Sequence, residues 1–431
     1  MGQAIGLFRL PASQAADRGL RSKPRRTVRI LITTYHRNLI GGTERYLQAL
    51  IPGLIQRGHQ VALLYEKPFD PARESITPAR HEEATYCLAE EGMHSVWRGV
   101  SEWKPDVVYN QGLRAGELED RLLETYPTVL FAHGYYGTCA TGHKCHAFPR
   151  YQVCARRFGL ACLLLHYPRR CGGLDPVETW RFYRLQAERH GRLKSYQTIL
   201  VASRHMGNEY LVHGVSPDRI RIVPLPLVNH ERETPLPKVE SPRGRLLLMG
   251  RLNREKGGGY LIPAIAQASR TLGQTLLLTV AGDGPDRKRL EAETREYQVA
   301  AQFVGWIDAQ RKTELLAATD LLTVPSLWPE PFGLVGIEAG VMGVPAVGYA
   351  VGGIPDWLIA GKTGELAPGD PPSVAGLADA IVRALENPQH HAELRRGARE
   401  WAQRYTLEAH LDELEPVLAP AKHAPLMNAG T

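Results

Sequence analysis

The chain has 431 residues, 43% of them hydrophobic, and a formal net charge of +7. That length asks for two or more domains with substantial cores, and no apolar run reaches the length of a membrane-spanning helix. The charge is unevenly shared. Residues 1–225 hold 31 Lys and Arg against 20 Asp and Glu, or +11, and the remainder holds 21 against 25, or −4. The first half should therefore face an anionic partner.

Residues 1–26, ending RSKPRR, are basic and poorly patterned, and are expected to be a disordered tail. Arg9 interrupts their only apolar run, which argues against a secretory signal and for a cytoplasmic protein. The run TVRILITTY (27–35) predicts a first strand, and Thr43 to Arg57 an amphipathic helix with Tyr46, Leu47, Leu50 and Leu54 inward. Between them Gly41 and Gly42 give a helix N-terminus whose amides could meet a phosphate or a substrate hydroxyl, or simply allow a tight turn. Strands are expected at 59–65, 106–110, 128–133, 198–202 and 220–224, with helical stretches between several of them. Such alternation implies a parallel sheet covered on both faces.

A segment within this half stands apart. Between Lys144 and Lys194 lie eleven basic and three acidic residues, which suits a membrane leaflet or a lipid phosphate better than nucleic acid, or else is a solvated arginine-rich surface. Five of the six cysteines fall at 139–171, with His143, His146 and His166 among them. Cys145, Cys154, Cys162 and Cys171 are candidate ligands of a structural zinc or iron–sulfur site, although no C-x2-C pair is present. Buried or free thiols explain them equally well, and disulfides are the third reading.

Residues 226–244, rich in proline and charge, read as a linker. A second strand–helix series follows: strand 246–249, helix 259–272, strand 276–281, helix 285–297, strand 302–304, helix 309–318, strand 321–325 and helix 333–342. The predicted architecture is α/β, with two doubly wound, Rossmann-like domains at 27–225 and 245–395 facing a cleft, and helical runs to 418 after them. Ligands in such sheets bind beyond the C-terminal strand ends, which here means the cleft.

The chemistry concentrates on that side. Arg251 and Lys256, in the loop GRLNREKG, can clamp a diphosphate, one as a fork and one as a point charge. Gly282 and Gly284 end another strand and can shape a pocket through their backbone. In PSLWPEPFGLVGIEAGVMGVPAVGYAVGGIPD (325–356), Glu330 precedes a helix start where the amides of Phe332, Gly333 and Leu334 can hold an anion. Glu338, seven intervening residues on, presents a second carboxylate able to accept paired hydroxyl hydrogen bonds. His133, ending the strand TVLFAH, points toward the cleft from the other half.

These motifs resemble the nucleotide-sugar site of family-four glycosyltransferases, retaining enzymes of the two-domain GT-B fold. The match runs through Glu330-x7-Glu338, Gly343-Val344-Pro345 and Gly352-Gly353-Ile354-Pro355-Asp356, through the Gly250 to Gly257 loop, and through Gly41-Gly42-Thr43-Glu44-Arg45. The resemblance implies that Glu330 meets the transferred sugar, Glu338 the nucleotide ribose, Arg251 and Lys256 the diphosphate, and His133 the sugar. It also implies that the Gly41-Gly42 loop lines the cleft and that a last helix, 396–418, braces the N-terminal domain. No cofactor would be required, because the cations take the role of a bound Mg²⁺. The donor would be a nucleotide-diphosphate sugar of hexose type, and the acceptor anionic, lipid-linked or saccharide, at the inner face of the membrane. Two alternatives on the same fold are a nucleotide-sugar epimerase and a non-catalytic sugar-nucleotide-binding protein. The chain departs from the family at Asp356, where glutamate is usual, and at Leu225-Pro226-Leu227, which replaces an Asn-Gly turn.

Overall fold

The computed structural model describes residues 27–77, 84–228 and 244–419, so the basic tail and most of the linker lie outside the described residues. In the first half the strands are β1 (Arg29–Thr34), β2 (Gln60–Tyr65), β3 (Ala84–Cys87), β4 (Val107–Asn110), β5 (Thr128–Phe131), β8 (Thr198–Val201) and β9 (Ile220–Ile222). They form one sheet in the order β3-β2-β1-β4-β5-β8-β9, parallel throughout. Ile30, Leu31, Ile32, Val108 and Val129 are all fully buried, as befits strands covered on both faces. The covering helices are α1 (Gly42–Gln56), α2 (Leu88–Trp103), α3 (Gly116–Thr125) and α6 (Arg204–Val212).

Between β5 and β8 the chain makes a long excursion. It carries a two-stranded antiparallel ribbon, β6 (Cys145–His146) with β7 (Gln152–Val153), and two helices, α4 (Ala161–Arg169) and α5 (Pro176–Arg192).

The second half is built from β10 (Arg245–Met249), β11 (Leu277–Ala281), β12 (Ala300–Gly305), β13 (Leu321–Val324), β14 (Ala346–Tyr349) and β15 (Gly364–Ala367). Their order is β12-β11-β10-β13-β14-β15, again parallel throughout. The helices are α7 (Gly258–Leu272), α8 (Arg287–Glu296), α9 (Ala309–Ala317), α10 (Leu334–Val341), α11 (Val374–Leu385), α12 (Pro388–Ala402) and α13 (Leu407–Leu418).

In both sheets the winding reverses at one strand pair, β1/β4 in the first and β10/β13 in the second. Loops leaving the C-terminal ends of such a pair diverge to opposite faces and leave a crevice. This topology, rather than any single motif, brings the 250–257 loop and the 325–333 loop side by side.

The last helix returns to the first domain. Arg57, which caps the C-terminus of α1, bonds Asp412 (2.7 Å) and Glu415 (3.1 Å) of α13. A Cβ at Gly53 would lie 2.8 Å from Leu411 Cδ1, so the two helices approach closely there. His410 Nδ1 donates to the carbonyl of Pro224 (2.8 Å), which leaves Nε2 to accept from the Tyr46 hydroxyl (2.8 Å). Where the linker departs from the family pattern, Leu227 N–H donates to the carbonyl of Tyr405 (2.8 Å).

Candidate active site

Glu330 sits in the loop after β13 and is 6% exposed. Its Oε1 accepts from Lys256 Nζ at 2.8 Å and from the Ser326 hydroxyl. Two features hold the backbone here. Gly352 has φ +57°, and a Cβ there would stand 2.5 Å from Glu330 N and O, so only glycine lets the 352–353 turn close over the loop. The amide of Gly353 then donates to the Glu330 carbonyl at 2.7 Å.

Lys256 reaches Glu330 because the preceding loop is equally constrained. Asn253 caps the single turn Arg254–Lys256 by accepting from the Lys256 amide (3.2 Å). At Gly257, φ +70°, a Cβ would lie 1.8 Å from the carbonyl oxygen of Pro325, so the two loops touch backbone to backbone. Arg251, exposed at the mouth of the same loop, completes the cationic side. Gly282 and Gly284 follow β11, and the carbonyls of Gly250 and Leu252 press against them.

Phe332, Gly333 and Leu334 form the approach to α10. Trp357 Nε1 donates to the carbonyl of Phe332 (2.7 Å), and the same indole packs against Gly336, pinning the helix start. Glu330 Oε2 faces this start, 3.5 Å from where a Cβ of Gly333 would be. A cation, a carboxylate and a helix N-terminus therefore share one corner of the crevice. Glu338, on α10, pairs with Lys312 of α9 at 2.8 Å, both side chains partly open.

From the other domain His133 contributes Nε2, 2.8 Å from Gln111 Oε1. Its ring lies 4.6 Å from Phe131 and 5.5 Å from Tyr46, and the residue as a whole is half-buried. Burial, with His410 nearby, pushes its pKa down to about 3, so the imidazole is neutral. Gly41 and Gly42 begin α1 as expected, but the Gly41 amide is not free: it donates to Glu44 Oε2 at 2.8 Å. The anion capacity expected of that loop is thus partly taken up by its own glutamate.

The two domains meet around this corner. The Tyr135 hydroxyl donates to the carbonyl of Pro329 (2.5 Å) and so accepts from His205 Nε2–H (2.8 Å), which burial keeps neutral with its pKa down at about 4. Asp356 accepts from the amide (2.6 Å) and Nε (2.9 Å) of Arg204. His143 Nδ1 lies 2.5 Å from Glu255 Oε1, and this bond raises the histidine's pKa against the cost of its burial.

Among the described residues no group of three or more His, Cys, Asp or Glu side chains is placed to hold a metal ion. Cys145, Cys154, Cys162 and Cys171, the candidate ligands, are free thiols, and three have partners of their own: Tyr151 Oη for Cys145, and the carbonyls of Arg157 and Leu165 for Cys162 and Cys171. Burial pushes the Cys145 thiol up to about 12 and Cys171 to about 11.

Ser326, Lys312, Tyr135 and Trp357 escaped the sequence reading. Ser326 and Trp357 flank motif residues and could have been suspected for their position. Lys312 and Tyr135 meet the site only through tertiary packing.

Two facing doubly wound domains, each with its switch point at the cleft, define the GT-B class of glycosyltransferase folds. Residues 40–228 match the model of Glycosyltransferase Family 4, and residues 235–401 that of Glycosyl transferases group 1. The chain belongs to the family-four glycosyltransferases. It is 40% identical over 164 residues to glycogen synthase of Mycobacterium tuberculosis, a stretch covering 37% of this chain and 38% of that protein. It is 33% identical over 190 residues to the 2-deoxystreptamine glucosyltransferase of Streptomyces kanamyceticus, covering 43% and 47%. The chain thus spans less than half the length of these curated relatives. Among solved structures it resembles sucrose-phosphate synthase from Thermosynechococcus elongatus (TM-score 0.63, 23% identity, 91% of this chain and 98% of that one). It also resembles Anabaena HepE in complex with UDP-glucose (TM-score 0.62, 18% identity, 90% and 99%). At these identities the structures speak for the fold.

Proposed function

We propose that the protein is a retaining hexosyltransferase that takes its sugar from a nucleotide-diphosphate donor. The observation that carries this reading is the Lys256–Glu330 pair, 2.8 Å apart at the β10/β13 switch point and facing the start of α10. A lysine tied to a buried carboxylate beside open helix amides is a site waiting for an anion. When a diphosphate enters, Lys256 turns to it, Arg251 closes from the exposed side, and the amides at Phe332–Leu334 bind the phosphate oxygens. Glu330, released from its ion pair, faces the sugar and steadies the oxocarbenium-like charge that develops as the bond to the diphosphate breaks. Glu338 binds the ribose hydroxyls, giving up Lys312 or sharing it. His133, neutral at working pH, positions the sugar from the other wall.

Retention without a second carboxylate as nucleophile fits attack on the face the leaving group departs, the diphosphate being stabilised as it goes. The HepE complex with UDP-glucose and the glucosyltransferase name of one relative support a glucose-type donor. The acceptor is a hydroxyl on a saccharide or a lipid-linked molecule. A screen of UDP-, GDP- and ADP-linked hexoses, following nucleotide release and reading the product anomer by NMR, tests the proposal. We expect one donor to be used with its anomeric configuration kept. An inverted product would remove the mechanism, and no turnover or hydrolysis of any donor would remove the activity.

A further inference from the structure

Of the twelve large apolar side chains that stand exposed among the described residues, eight lie between Phe148 and Phe182, inside the excursion between β5 and β8. Scattered single exposures are ordinary, whereas this concentration is not. On α4 and its first turn Leu160, Leu164 and Tyr167 follow a spacing of four and three, which is one helix face. Leu174 on the connecting loop is exposed too, as are Val177 and Trp180 on α5, where Arg181 and Arg184 follow at helical spacing on the same side. Leu164 is 78% exposed and Trp180 53%.

The hairpin is held in this posture. Buried His166 places Nε2 2.8 Å from the carbonyl of Gly173 and 3.2 Å from the Thr179 hydroxyl, tying α4 to the start of α5. Asp175 caps α5 by accepting from Val177 and Glu178, and Trp180 stacks on buried Tyr183. The apolar row is therefore presented by a built element.

The charge around it has one sign. Of the eleven basic side chains in residues 144–194, Lys144, Arg189 and Arg192 are spent on partners within the domain, while Arg150, Arg156, Arg157, Arg170, Arg181 and Arg184 stand exposed, against three acidic ones in the same stretch. Glu178 and Glu188 stand 3.5 Å and 3.7 Å from Arg181 and Arg184, but these pairs are exposed and weak, leaving the arginines available.

We propose that α4, the loop through Leu174 and α5 dock on an anionic lipid bilayer. Leu160, Leu164, Leu174 and Trp180 enter the boundary between headgroups and acyl chains, and the arginines meet headgroup phosphates at the flanks. An apolar row with arginines at its margins matches that layered surface. The other end of the excursion meets the donor side through Tyr135–Pro329 and His143–Glu255, so docking would set the cleft beside the bilayer. The proposal stands independently of the donor reading.

The test is co-sedimentation of the full chain with phosphatidylcholine vesicles, with and without about 30 mol% phosphatidylglycerol. We expect binding to the anionic vesicles, weakened in about 0.5 M salt. Leu164→Glu and Trp180→Glu should each lower the bound fraction's partition coefficient by about tenfold. Arg181→Glu with Arg184→Glu should weaken binding to anionic vesicles in the same sense. UDP binding by calorimetry and the unfolding temperature, measured on the same variants, should stay at parent values, so that a failed donor site and a failed docking surface read differently. The proposal is overturned if neither vesicle type retains the protein, if both Glu variants bind like the parent, or if this face proves to join two copies of the chain with no vesicle binding.

Discussion

Removing the Lys256 ammonium strikes the centre of the proposed donor site and has two separable consequences. In Lys256→Ala the Glu330 carboxylate, 6% exposed, keeps the Ser326 hydroxyl but loses its counter-ion. Stranding a buried carboxylate costs about 1–3 kcal/mol, and the 30% exposure of the lysine side chain puts this case near the low end. For a domain of this size the melting temperature should fall by about 2–6 °C. The catalytic loss is larger. A cation aimed at charge that grows on a leaving diphosphate contributes about 3 kcal/mol, so kcat/KM should drop by about a hundredfold. Scanning fluorimetry and a nucleotide-release assay measure the two effects on one preparation. A kcat/KM within about threefold of the parent, in a variant whose melting temperature has fallen, would show that the pair is structural and that the argument for the site is wrong.

Glu330→Gln should lower kcat by about a hundredfold or more while UDP affinity stays within about threefold, because the amide keeps the loop and loses only the charge facing the sugar; equal losses in both would move Glu330 to the nucleotide. Gly352→Ala puts a Cβ 2.5 Å from the backbone of Glu330 at φ +57°, so it should cost more than about 2 kcal/mol in stability and weaken UDP binding with it, as calorimetry would read. Stability should fall with pH through buried histidines: His410 and His213 are pushed down to about 4 by burial, against 6.5 unfolded. The stability each contributes is complete above pH 6.5 and is lost toward pH 4, since the unfolded chain takes the proton first. His143, raised by Glu255, and Glu66 and Glu209, raised by burial, work the other way. His410→Gln should therefore shrink the drop in unfolding free energy between pH 7 and pH 5 by about 2 kcal/mol, measured by urea titration at both values; an unchanged drop would mean the ring is charged in the fold.

The alternation of strand and helix was readable because buried parallel strands are short apolar runs, and β1, β4, β10 and β13 begin or end within two residues of their expected bounds. The strands that were missed, β3, β6, β7, β14 and β15, are short and rich in alanine, glycine or polar residues, so nothing in their pattern separates them from loops. Glu330 and Lys256 were nominated from loops far apart in the chain. Their contact was not legible, because it depends on strand order, which periodicity does not encode. The surroundings of the cysteines were no more legible. Their density in sequence suggested ligation, but the ribbon and two helices they sit on give several thiols local partners. The same excursion hid its apolar stripe, since Leu160, Leu164 and Tyr167 read equally well as a helix face turned inward.

The most direct measurement is a calorimetric titration of the parent protein and Lys256→Ala with UDP-glucose and with the corresponding GDP and ADP sugars. We expect one of these to bind the parent at one site per chain, and Lys256→Ala to bind the same ligand at least about tenfold more weakly. Binding that ignores the substitution, or no binding of any nucleotide sugar by the folded parent, would contradict a donor site at the β10/β13 switch point.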